Sequence, residues 1–134
     1  MKQQLEQVFE FNKLGGQDVG ESPRWINVDA FDLQYNLIKE ELGELSEAYD
    51  QRDGVEVLDA LIDIQYVLLG LVCRLGFQKE FVEGFQIVHD NNMTKVKDDK
   101  GNIIVKFRED GKILKPDGYK KVDLESYYGY LNNI

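Results

Sequence analysis

The sequence predicts an all-α fold, a four-helix bundle followed by a small C-terminal β-hairpin. Three observations lead to this prediction. Apolar residues recur at helical spacing through most of the first 95 residues. Glycines and short polar turns interrupt this pattern where helices would end. Beyond residue 96 the pattern changes to short runs of β-forming residues around Asp110-Gly111, a dipeptide typical of hairpin turns.

The first two helices are predicted over residues 5–14 and from about Asp29 to Asp50. Gly15-Gly16 ends the first one, and the aperiodic segment 17–27 is expected to be a loop. The second helix is long and carries an apolar stripe that we expect to face the core, formed by Ile38, Leu42, Leu45 and Tyr49. A flanking stripe is formed by Leu33, Leu37 and Ala48, and the two stripes together make up the apolar arc of this helix.

A short turn at residues 51–54 separates the second helix from a third one over 55–75, so the two should run antiparallel. Gly76 ends the third helix, and the fourth is predicted over 78–95. We interpret residues 1–134 as one domain, with a helical body over 1–95 and a hairpin and tail over 96–134.

Composition excludes several classes of protein. Twenty-five acidic residues against sixteen lysines and arginines give a net charge of −9, which repels nucleic acid polymers. Acidic residues interrupt the longest apolar stretch, residues 57–72, so no membrane span is predicted. No apolar signal segment begins the chain and Cys73 is the only cysteine, which predicts a cytoplasmic protein with a buried thiol.

Two glutamates of the second helix lie where apolar residues are expected. With about 100° per residue, Glu41 and Glu44 fall inside the apolar arc, Glu40 falls at its margin, and Glu47 points away from it. Bare carboxylates on a core-facing arc are costly unless they are protonated, paired with a base or bound to a cation.

The third helix repeats this anomaly. Glu56, Asp59 and Asp63 have spacings of three and four residues and therefore share one face. If the two helices are antiparallel neighbours, both acidic groups face the same space, and Lys39 and Arg52 are too few to neutralise them. A divalent cation with oxygen ligands, Mg²⁺ first, is the simplest solution, with a buried acid–base network as the alternative.

The segment Glu40-Glu41-Leu-Gly-Glu44 resembles the Glu-Glu-x-x-Glu motif of the all-α nucleoside triphosphate pyrophosphohydrolases. This MazG-like group includes the dimeric dUTPases and phosphoribosyl-ATP pyrophosphohydrolase. Its second motif, Glu-x-x-Asp, is matched in letters by Glu56-Val-Leu-Asp59 and in position by Asp63, for which Ala60 would replace the glutamate. The resemblance covers roughly residues 30–95, and the pattern beyond it is similar to small phage and bacterial MazG-like proteins.

This resemblance implies Mg²⁺-dependent hydrolysis of the α–β phosphoanhydride of a nucleoside triphosphate, a deoxynucleotide being the first candidate, with Mn²⁺ as a substitute metal. The products would be a monophosphate and pyrophosphate. The implied metal ligands are Glu41, Glu44 and Asp63, with Asp59 next. Glu40 or Glu56 would instead orient or deprotonate the attacking water, so the implied catalytic set is Glu40, Glu41, Glu44 and Glu56.

Four residues near the C-terminus are predicted to bind substrate. Asn92 and Lys95 share a helix face, and the resemblance suggests that they contact the nucleotide, against the simpler interpretation of exposed polar residues. Lys112 and Lys115 belong to a basic tail that would either contact the phosphates or only offset the acidic charge.

The third helix is apolar around most of its circumference, which predicts a homo-oligomer, either a homodimer or a homotetramer. Two other functions stay open at this point. One is phosphoribosyl-ATP pyrophosphohydrolase activity. The other is a non-catalytic helical assembly module in which the acidic residues hold a structural cation.

Overall fold

Five α-helices form the regular structure of the chain, and the computed structural model describes all 134 residues. In chain order they are α1 (Lys2–Leu14), α2 (Val28–Asp50), α3 (Gly54–Leu75), α4 (Gln78–Met93) and α5 (Glu125–Tyr128), and a 3₁₀-helix follows over Gly129–Asn133. The prediction of an all-α fold is confirmed, and all four predicted helices are present. None of the helices combines the length and the apolar character that a membrane span requires.

The chain divides into two compact units, residues 1–78 together with Ile134, and residues 79–133. In the first unit, side chains cap the starts of both long helices. Asn27 Oδ1 accepts a hydrogen bond from the Ala30 N–H at 2.8 Å, and Asp53 Oδ1 accepts one from the Glu56 N–H at 3.1 Å. These caps satisfy amide groups that would otherwise lack a partner. The connection between α2 and α3 is short and consists of residues 51–53.

The C-terminal end of α3 depends on Gly76. This glycine adopts a φ of +71°, and an added Cβ would lie 2.0 Å from the carbonyl oxygen of Ser22. The loop before α2 crosses here, since the Gly20 N–H donates to Cys73 O and the Arg24 N–H donates to Leu75 O, both at 2.9 Å. Gly76 thus allows the loop to pass close to the helix end.

The core of the first unit lies along α3, which contacts both α1 and α2. Its fully or nearly fully buried apolar residues are Leu5, Val8, Ala48, Ala60, Leu69, Val72 and Cys73. Burial raises the pKa of the Cys73 thiol to about 11, as expected for a buried structural cysteine.

The apolar stripe predicted on α2 is wrong in half of its members. Leu42 is 50% exposed and Tyr49 is 59% exposed, whereas Gln34 and Ala48 are buried and Glu41 is half-buried. The face that packs on α3 is therefore rotated from the predicted one, because Gln34 donates to Val67 O at 2.7 Å and Gly70 makes room for its amide. Glu41 lies on the packed face, within the arc spanned by the two predicted stripes and beside Asp63 of α3.

In the second unit the predicted β-hairpin is wrong, because residues 96–134 contain no strand. The turn at Asp110-Gly111 does form, with Gly111 at a φ of +90° and one antiparallel bridge between Phe107 and Ile113. Pairing cannot extend further, since the Ile104 N–H already donates to Val96 O at 2.9 Å and Pro116 has no N–H to donate.

The end of the second unit packs against α4 through tyrosines. The Tyr130 hydroxyl donates to Glu80 Oε1 at 2.8 Å, and Gly84 leaves space for the ring of Tyr128. The hydrogen bond to Glu80 and the removal of the hydroxyl from water raise the pKa of Tyr130 to about 12. Polar contacts as well as apolar packing therefore attach the C-terminal segment to α4.

Candidate functional site

Three carboxylates meet between α2 and α3. Glu41 and Glu44 lie one turn apart on α2, Asp63 lies on α3, and one oxygen of each is within 4.8 Å of the others. We call these three residues the carboxylate cluster. The short antiparallel connection at residues 51–53 is what places the two helices side by side.

Glu41 is the most perturbed member of the cluster. Its Oε2 atom is buried and has no hydrogen-bond partner. Burial raises the pKa of Glu41 to about 7, and the neighbouring carboxyl of Glu44 adds to this effect, followed by the charges of Asp63 and Asp59. Burial and the neighbouring negative charges both disfavour the ionised carboxyl, and a bound cation would compensate for both of them.

No basic side chain neutralises the carboxylate cluster. The two salt bridges of the structure join Arg24 to Asp18 and Arg108 to Asp110. The bases nearest in sequence turn to aromatic rings, since Lys39 Nζ lies 5.7 Å from the ring centre of Tyr35 and Arg52 lies 4.2 Å from that of Tyr49. These contacts argue against a buried acid–base network.

The residues present fit a divalent cation. Three carboxylates offer hard oxygen ligands, and the unpartnered Oε2 of Glu41 supplies a buried one. Mg²⁺ usually takes only some of its ligands from protein carboxylates and keeps positions for water or substrate phosphates. The cluster matches that requirement, while metal binding itself stays a prediction.

The other predicted acids surround the cluster without joining it. Glu40 is exposed on α2, and Glu56 and Asp59 are exposed on α3. Asp59 is near enough for its charge to raise the pKa of Glu41. Glu56 lies two turns before Asp63 on the same helix, and its backbone N–H is bound by the Asp53 cap. The catalytic roles of these acids stay predictions.

The second unit holds a separate group of basic and aromatic residues. The Nζ atoms of Lys95 and Lys115 lie 5.5 and 5.8 Å from the centre of the Tyr119 ring. The Tyr119 hydroxyl accepts a hydrogen bond from Asn91 Nδ2 at 2.6 Å. Two of the four predicted substrate-binding residues therefore lie at one ring.

The remaining two predicted substrate-binding residues do not share that ring. Asn92 is exposed on α4, and Lys112 is exposed in the Asp110-Gly111 turn, where its backbone N–H donates to Asp110. Sequence reasoning did not find Asn91 or Tyr119. The prediction that Asn92 and Lys95 share a helix face is wrong, because α4 ends at Met93 and Lys95 lies in the turn that follows. Helical spacing therefore gave no signal for the contact between Asn91 and Tyr119.

Comparison with protein families gives a match over most of the helical part of the chain. The sequence model of the phosphoribosyl-ATP pyrophosphohydrolase family matches residues 8–92, which include all three members of the carboxylate cluster. A search of curated proteins finds no significant match. The matched segment covers more than half of the chain and ends just before Lys95.

Proposed function

Because the chain belongs to the phosphoribosyl-ATP pyrophosphohydrolase family, we propose that it is a pyrophosphohydrolase acting on a nucleotide. Its proposed substrate is a nucleoside triphosphate, a deoxynucleotide first, which it cleaves between the α and β phosphates to a monophosphate and pyrophosphate. The observation that carries this proposal is the carboxylate cluster, with its unneutralised charge and the unpartnered oxygen of Glu41.

In this proposal Glu41, Glu44 and Asp63 hold Mg²⁺, and Asp59 is available as a further ligand. The bound metal would offset the charge of the triphosphate and lower the pKa of a coordinated water. Either Glu40 or Glu56 then orients the attacking water or accepts its proton, since both are exposed acids on the helices that carry the cluster.

The substrate site also needs positive charge from side chains. The three carboxylates already neutralise one divalent ion, so this ion alone cannot balance the negative charge of a triphosphate. We propose that Lys95, Lys112 and Lys115 contact phosphate oxygens and that Asn92 contacts the nucleotide. The two lysines at the Tyr119 ring support this assignment most directly, since neither is in a salt bridge with a carboxylate of the chain.

The second candidate substrate is phosphoribosyl-ATP, which is favoured by the description of the matching family. A panel of dNTPs, NTPs and phosphoribosyl-ATP separates the two, with pyrophosphate release measured in excess Mg²⁺, in Mn²⁺ and in EDTA. We expect metal-dependent release from at least one dNTP. Release from phosphoribosyl-ATP alone would establish the second candidate, and no release from any substrate would favour the non-catalytic module.

The variant Glu44→Gln links activity to the cluster, because it removes one charge and preserves side-chain volume. We expect it to abolish pyrophosphate release while leaving the helical circular dichroism unchanged. Glu47→Gln is the matched control, since Glu47 is exposed on the same helix outside the cluster. Full activity of Glu44→Gln would remove Glu44 from the mechanism.

We also propose that the chain assembles as a homodimer or homotetramer. The first half of α3 presents four large apolar residues, each at least 49% exposed, namely Val55, Leu58, Leu61 and Ile62. A contiguous apolar surface of this kind is typical of an interface. Light scattering that gives a mass of 15.5 kDa at micromolar concentration would contradict this proposal.

A further inference from the structure

Tyr119 has an arrangement of partners that the proposed reaction does not by itself explain. The ring is half-buried and two ammonium groups lie within 6 Å of its centre, one from Lys95 and one from Lys115. These lysines are 20 residues apart in sequence. The ring is therefore the common point that brings the two cations together.

Two hydrogen bonds hold Tyr119 in place, and a third fixes the backbone of Lys95. Asn91 Nδ2 donates to the Tyr119 hydroxyl at 2.6 Å, and Asn91 lies on α4. The Tyr119 N–H donates to Pro116 O at 3.1 Å, closing a turn in which Gly118 has a φ of +77°. The Lys95 N–H donates to Asn92 O at 3.0 Å, which places Lys95 in the turn that follows α4.

The charge distribution indicates that this arrangement does more than offset acidic charge. The chain has 25 acidic residues, yet no carboxylate lies within salt-bridge distance of Lys95 or Lys115. The two ammonium groups therefore form a local concentration of positive charge that no carboxylate of the chain neutralises. A polyanion that reaches both would make a charge-assisted contact with each of them.

We propose that Tyr119 is a positioning residue that holds Lys95 and Lys115 as a two-lysine clamp for the phosphate chain of the substrate. This proposal rests on the proposed function for the identity of the substrate. The clamp itself requires only a linear polyphosphate, because both of its cations come from the second unit. Tyr119 acts through the lysines and need not touch the phosphates.

Binding of inorganic triphosphate to the full chain tests the clamp separately from hydrolysis. Isothermal titration calorimetry in EDTA at low salt removes any contribution from a divalent metal. We expect Lys95→Met and Lys115→Met each to weaken binding about tenfold, since each loses one charge-assisted contact. Lys120→Met, which removes an exposed lysine with no contact to the ring, should change affinity less than about twofold.

A double-mutant cycle tests the positioning role. Tyr119→Leu should weaken triphosphate binding about fivefold in the wild-type background, because the two lysines would no longer be held near each other before the ligand binds. In the background of Lys95→Met with Lys115→Met it should change affinity less than about twofold. Tyr119→Phe keeps the ring and removes only the hydroxyl, so it should bind within about threefold of wild type. This variant tests whether the ring is sufficient even if the leucine variant is unstable.

Several outcomes would overturn the clamp. They are no binding of triphosphate by the wild type in EDTA, an equal loss in Lys120→Met, or a loss from Tyr119→Leu that persists without the two lysines. A chain that binds triphosphate with this pattern but releases no pyrophosphate from any nucleotide would refute the proposed function and keep the clamp. Release of pyrophosphate without the binding pattern would do the reverse.

Discussion

Removing the charge of Glu41 should stabilise the protein when no divalent cation is present. Its carboxyl lies within 4.8 Å of two others and has a buried oxygen without a partner. At that separation one pair of charges costs roughly 1 kcal/mol in water and roughly 3.5 kcal/mol at an effective dielectric constant of 20. We therefore expect Glu41→Gln to raise the free energy of unfolding by about 1–3 kcal/mol at pH 8 in EDTA.

The pKa of Glu41 gives a similar magnitude and also a pH dependence. A rise in pKa from 4.5 to about 7 corresponds to a free energy of at most about 3 kcal/mol. Glu44 is exposed, so solvent screening reduces this value. Because the folded state binds this proton more tightly than the unfolded state, the associated stability is fully present below pH 4.5 and is lost as pH rises through 7. The advantage of Glu41→Gln over wild type should therefore grow across that interval.

Urea unfolding at fixed protein concentration measures this effect, with Glu47→Gln as a control that removes the same charge from the exposed side of α2. Adding excess Mg²⁺ at pH 8 should stabilise wild type and Glu47→Gln more than Glu41→Gln. A destabilising charge on Glu41 is refuted if Glu41→Gln unfolds at no higher urea concentration than Glu47→Gln in EDTA, or if its advantage does not depend on pH.

Three further predictions concern other parts of the chain. Lys95→Ala should cost on the order of 1–3 kcal/mol in kcat/KM for the nucleotide, and an unchanged kcat/KM would exclude a phosphate contact. Gly76→Ala should destabilise the protein by more than about 2 kcal/mol in urea unfolding, because its Cβ would overlap Ser22 O and its φ of +71° disfavours alanine. The buried Cys73 thiol, with its pKa raised to about 11, should resist iodoacetamide at pH 8 until urea unfolds the chain, and rapid labelling of the native protein would contradict this.

Local features of the structure were predictable from the sequence. The four long helices form where apolar periodicity places them, and Gly76 and the 51–54 turn end or join them as expected. The spacing of Glu41 and Glu44 also indicated a shared face, and the structure places Asp63 beside them. These features depend on residues within one or two helical turns of each other, so the local sequence is enough to predict them.

Only the tertiary structure decided which side of each element is covered. The inward face of α2 is set by the packing of Gln34 against Val67 and Gly70, which leaves Leu42 exposed. The hairpin does not form because Ile104 donates its N–H to Val96, an acceptor that local β-propensity does not reveal.

The same distinction between local and tertiary information applies to the two groups of functional residues, the carboxylate cluster and the residues at the Tyr119 ring. Sequence spacing indicated the carboxylate cluster, because its members lie on two consecutive antiparallel helices. The contact of Asn91 with Tyr119 joins residues 28 positions apart across irregular chain, where no periodicity relates one side chain to the other. Such a contact depends on the path of the turns between the two residues, and that path is determined by hydrogen bonds formed only in the folded protein.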